Sequence, residues 1–155
     1  MSKLEGNNRW KSKMLLTEHQ EQYEARGDQT QGKATADEIA MIREAVLLPH
    51  AMTISNKSLN EIKGSTIALH HTMAKFLRVL MDHISLEMYR VRRELRQRNI
   101  KVLSDEMADD IVYHRYVCRG YEGRFGMTRE VARFEISKLI AKSADRILRF
   151  QEQEG

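Results

Sequence analysis

The sequence predicts an all-α protein: about five helices in a bundle, with one long central helix over residues 66–98 and a loosely held N-terminal arm. Three observations predict it. One proline and eight glycines in 155 residues leave little β-turn punctuation. No stretch shows sustained alternation of period two with turn residues at both ends. Between residues 66 and 98, Leu69, Met73, Leu77, Leu80, Ile84, Met88, Val91 and Leu95 step by three or four, which draws one apolar stripe down a single helix.

Taken in order, residues 1–34 are polar and rich in Gly and Asn, and read as an arm. Thr17 and Gln20 suggest a capping box for one short helix over 18–25. Residues 35–155 read as a single helical domain. Thr35 with Glu38 at the N3 position starts its first helix, along which Ile39, Ile42 and Val46 share a face. Pro49 removes a backbone donor, so a kink or break is expected near Leu48 before the helix stops at Gly64. After the long helix, Asn99 suits a left-handed stop, and Ser104 is read as the cap of a fourth helix carrying Met107, Ile111, Tyr113 and Val117. Thr128 opens a fifth, with Val131, Phe134, Ile140, Ile147 and Leu148 near one face.

Composition bounds the function. Apolar residues make 41% of the chain and charged ones 31%, as in ordinary globular proteins. A single cysteine, Cys118, excludes an intrachain disulfide, and with nine methionines and no signal-like start it points to a cytoplasmic protein. The best apolar run, 67–84, is interrupted by Arg78 and Asp82, short of the ~20 residues a spanning helix needs. A net charge of +4 mildly favours acidic partners.

Catalytic and metal motifs are missing from the spacing. No glutamate has a histidine three residues later, as a di-iron bundle requires, and no His-Glu-x-x-His occurs. The pairs Asp110 with His114 and His83 with Glu87 read as helix-surface contacts. Cys118, beside Arg119, reads as a small core residue because nothing supplies an oxyanion hole or an orienting carboxylate. We therefore expect no enzyme, no cofactor and no metal.

Two basic clusters remain. Arg90, Arg92, Arg93, Arg96 and Arg98 end the long helix, and acidic residues at the next helix start explain most of that charge through the helix dipoles. The stretch 114–126 interleaves Arg115, Arg119, Arg124, Tyr121 and Phe125 with three glycines. Arginines hold phosphates and aromatic faces stack bases, so either cluster is a candidate nucleic-acid surface. The competing reading of 114–126, which we favour, is a tight connection whose rings plug the end of the bundle.

The arm carries the only tryptophan, Trp10, followed by Met14, Leu15 and Leu16 in otherwise polar sequence. Such a cluster either anchors in a partner's groove or folds back on its own bundle. The order Leu4-Glu5-Gly6-Asn7, Trp10, Met14-Leu15-Leu16, Glu18-His19 resembles the opening of YolD-like proteins, small bacterial proteins encoded beside Y-family, UmuC-like DNA polymerases. Thr17 stands where that family usually has proline, and its strand-rich tail is replaced here by what reads as about 90 helical residues. The body faintly resembles uncharacterised proteins of spore-forming bacteria. The resemblance implies an accessory protein that meets a translesion polymerase in a DNA-repair or SOS response. The expected function is thus a non-enzymatic adaptor binding a protein partner through Trp10, Met14, Leu15 and Leu16. The alternatives are a nucleic-acid-binding protein using Arg90–Arg98 or Arg115–Arg129, and a phage or spore structural component.

Overall fold

The computed structural model describes residues 33–154. Its first element begins where the capping signal stands. The Glu38 amide donates to Thr35 Oγ1 (3.2 Å) and the Thr35 amide to Glu38 Oε1 (3.1 Å), satisfying two of the donors a helix start leaves open. Helix α1 then runs over Ala36–Lys63. Pro49 lies inside it and does not end it, although the ring deprives the preceding turn of one hydrogen bond. Gly64 closes α1, and after a short link helix α2 covers His70–Gln97 and packs along α1 as a hairpin.

The all-α expectation fails beyond this point. Asn99 is left-handed (φ 56°), as expected of a helix stop, but the chain enters a three-stranded antiparallel meander, β1 (Ile100–Ala108), β2 (Ile111–Cys118) and β3 (Tyr121–Thr128). The fourth helix assigned to Ser104 is therefore β1 and β2. The described residues hold three helices and one sheet, not a five-helix bundle. The last helix, α3 (Arg129–Glu154), starts where Thr128 was expected to cap it: Thr128 Oγ1 accepts from the Val131 amide (3.3 Å).

Two-residue turns make both hairpins. Asp109 and Asp110 (φ 50° and 63°) join β1 to β2, and Arg119 and Gly120 (φ 48° and 87°) join β2 to β3. Left-handed conformation at both central positions gives the turn whose twist matches the strands. Aspartate tolerates it through its short polar side chain and Gly120 has no Cβ to clash, whereas Arg119 must be held there.

Along the strands, alternation separates two faces. Ile100, Val102, His114, Tyr116, Cys118, Phe125 and Met127 face the helices; Tyr113, Arg115, Val117 and Arg124 face away. Glycine makes room for rings on both faces: a Cβ at Gly123 would lie 2.4 Å from the Tyr116 ring, and one at Gly126 3.0 Å from that of Tyr113. The core joins Ile42, Leu47, Leu48 and Ala51 of α1 to Leu80, Ile84, Val91 and Leu95 of α2, the inner sheet face, and Ile136 and Ile147 of α3. No residue from 53 to 76 belongs to it. The far end of the α1/α2 hairpin thus stands clear of the sheet, its two helices held together around Ser55, Leu59 and Ala74.

Candidate functional site

Three places in the molecule have the geometry of a site. The first is an ion-paired junction. Glu38 is buried, and its carboxylate accepts from Arg119 Nη1 (2.9 Å) and Nη2 (2.8 Å) in a two-pronged contact, besides the Thr35 amide. The same guanidinium donates to the carbonyls of Arg98 (3.2 Å) and Lys33 (3.1 Å), and Arg98 stands 3.8 Å from Glu38. One side chain thus ties the start of α1 and the end of α2 to the β2–β3 turn. The Arg119 hydrogen bonds hold the Glu38 carboxyl at about 2, far below its ordinary 4.5. Cys118, adjacent and fully buried, has its thiol pushed up by burial against the opposing pull of Arg119. A protonated, enclosed thiol is no nucleophile, so the structure agrees with a packing role.

The second place is an open cavity of about 490 Å³ bordered by α1, the inner sheet face and the start of α3. A register shift between Val102 and Asp105 in β1 inserts an extra residue, which brings Asp105 onto the inner face opposite His114. His114 Nδ1 and Asp105 Oδ1 are 2.7 Å apart. An ionised carboxylate can only accept, so the proton is on Nδ1. His114 therefore pairs across the sheet with Asp105, not along a helix with Asp110 as the spacing suggested. Among the described residues no group of three or more His, Cys, Asp or Glu could hold a metal ion.

The third place is the free end of the hairpin. Ile67 (50% exposed), Leu69 (65%), Met73, Phe76 and Val79 present large apolar side chains to solvent there. Residues 54–79 also contain Lys57, Lys63, Lys75 and Arg78 against the single acid Glu61. Sequence reading assigned Leu69 and Met73 to the core stripe of the long helix. The helix is real, but its inward face at that level is Ala74 and Leu77, one step round.

The predicted site residues do not converge on one surface. Trp10, Met14, Leu15 and Leu16 lie outside the described residues. Arg90 pairs with Glu87 (2.9 Å), Arg98 with Glu94 (3.4 Å) and Glu38, Arg115 with Glu106 (3.2 Å) and Arg119 with Glu38. Arg124 lies over the Tyr113 ring, 4.7 Å from its centroid, on the outer sheet face. Phe125 packs inward against His114, and Tyr121 is exposed at the start of β3. Arg92 and Arg96 line a groove of about 490 Å³ with Lys101, Ala45 and Pro49, while Arg93 is exposed beside it. The residues that sequence reasoning left out of any site are Asp105, His50 and Arg133, which meet His114 at the cavity only through the sheet.

This helical hairpin, three-stranded meander and closing helix is the region that defines the protein's class: the family model described as YhjD protein matches residues 33–147, and the chain belongs to that family. It is similar to the uncharacterized protein YhjD of Bacillus subtilis (strain 168), 29% identical over 100 residues, which are 64% of this chain and 83% of the relative. No solved structure matches. The family match leaves out residues 1–32, and neither comparison carries a link to YolD-like proteins, DNA repair or an SOS response. No helix among the described residues is long and apolar enough to cross a membrane.

Proposed function

We propose that the protein is a non-enzymatic adaptor whose free hairpin end docks an acidic, amphipathic helix of a partner protein. The observation that carries this reading is the run of exposed apolar residues Ile67, Leu69, Met73, Phe76 and Val79, on a part of the hairpin that the core does not use. Large apolar side chains grouped on one protruding element mark an interaction surface far more often than the single exposed residues any protein carries. The four cations against one acid around them favour an acidic rim on what docks. Direct nucleic-acid binding has less support, because Arg90, Arg98, Arg115 and Arg119 are already in ion pairs within the molecule.

Site-specific photo-crosslinking in the native host tests the reading, with the reactive group placed at Leu69 and, as a control, at Glu122 on the far end of the sheet. We expect one acidic protein to be trapped from Leu69 only, and Phe76→Asp to weaken its purified complex about thirtyfold, the loss of one apolar anchor. Phe76 is 37% exposed, so the helical circular-dichroism signal should stay as it is. Equal trapping from both positions, trapping of a second copy of this chain, or an unchanged affinity in the variant would overturn the proposal. Removing residues 1–24 addresses the finer reading that the YolD resemblance implies, a Y-family polymerase met by the arm. On our proposal the truncated chain keeps its partner. Loss of the partner on truncation would move the docking element to Trp10, Met14, Leu15 and Leu16. DNA binding that weakens with salt and disappears on charge reversal of Arg92, Arg93 and Arg96 would favour the nucleic-acid reading instead.

A further inference from the structure

We propose that the cavity between α1, the sheet and the start of α3 binds a small amphipathic carboxylate whose apolar body also carries a hydroxyl group. Three independent features define that chemistry. The cavity, about 490 Å³, falls in the size range of preformed small-molecule sites, and its walls are Leu47, Met107, Val112, Met127, Ala132 and Ile136. Such a lining takes an aliphatic or aromatic body.

The second feature is a polar ring in that lining. His114 is 4% exposed and lines the cavity. With Nδ1 committed to Asp105, Nε2 makes no hydrogen bond among the described residues. A hydroxyl on the ligand body can both donate and accept, so it pairs with that nitrogen whether or not the ring carries a second proton. Asp105 fixes which ring nitrogen is available, so it acts as a positioning residue.

The third feature is charge at the mouth. Arg129 and Arg133, one turn apart at the start of α3, both line the cavity and both are exposed. Neither is in an ion pair among the described residues. Cations at the positive end of a helix dipole are opposed by that dipole, whereas an anion there gains from the dipole and the guanidiniums together. A carboxylate is the anion that a guanidinium holds with two parallel hydrogen bonds while a short apolar body follows it into the cavity.

Calorimetric titration of the full chain with decanoate, ω-hydroxydecanoate and decanol tests the proposal. The hydroxylated acid should bind tightest, decanoate next, and decanol about tenfold more weakly than decanoate, the difference that one charge-assisted contact makes. Arg133→Gln, an exposed substitution that leaves the fold alone, should weaken both acids about tenfold and leave decanol unchanged. Ala132→Phe should fill the cavity and remove all three. Phe76→Asp, on the distant hairpin end, should change none of them, so failure here and failure of the adaptor reading are separate results. No measurable heat from any of the three, equal affinities for decanoate and decanol, acid binding as tight in Arg133→Gln as in the unaltered chain, or loss of binding in Phe76→Asp would each overturn the site.

Discussion

Glu38→Gln lowers the unfolding free energy by about 2 kcal/mol at neutral pH, discounted for the partial exposure of its partner, and the melting temperature by roughly 8 °C. Glutamine keeps the size and one accepting oxygen, but it loses the charge that the Arg119 fork and Arg98 surround. The pH dependence identifies the cause. A carboxyl whose folded-state value is about 2, against 4.5 when free, stabilises the fold fully above 4.5 and loses that contribution as pH falls toward 2. The curves of stability against pH for the two proteins should therefore lie apart at pH 7 and converge toward pH 2. Thermal unfolding followed by circular dichroism across that interval checks this; a gap that persists at the acid end means that packing, not charge, is what the substitution removed.

A larger loss, about 3–4 kcal/mol, is expected for Ile84→Ala. Ile84 has no exposed surface and belongs to the core formed by both hairpin helices, the sheet and α3. Shortening it deletes buried methyl groups and leaves a void that close-packed neighbours fill only in part. Two positions away, Leu86 is 66% exposed, and Leu86→Ala should change stability by no more than about 0.5 kcal/mol. Urea unfolding of both variants makes the comparison. Similar losses at the two positions would mean that the outer face of α2 is covered in solution, by a second copy or by residues of the arm.

The helical hairpin was legible because its signals are local. The Thr35–Glu38 capping box, the stop at Gly64, the left-handed Asn99 and the start at Thr128 all stand in the structure within the segments that carry them. The sheet was not legible for an equally local reason. Its turns, Asp109-Asp110 and Arg119-Gly120, lack the Asn-Gly or Asp-Gly pair that usually announces a two-residue hairpin. Tyr113 and Val117 on the outer face are as apolar as Val112 and Tyr116 on the inner one, which blurs the alternation of β2. The β-branched and aromatic content of Ile111–Val117, lying between two gaps of exactly two residues, was the usable signal, and glycine scarcity was given more weight than it can bear. The cavity followed the sheet out of reach. Asp105 and His114 are nine residues apart and meet only because a strand folds back with one extra residue in register.

The Glu38–Arg119 contact joins residues 81 positions apart in the chain. Closing so long a loop is slow compared with forming a helix or a hairpin, so both pieces take shape before the contact that locks them together. Until then Arg119 has nothing to hold it in the left-handed conformation that its turn requires. The first turn of α1 and the tip of the β2–β3 hairpin accordingly open and close as one unit: their backbone amides should exchange with solvent deuterium at matched rates, despite the length of chain between them.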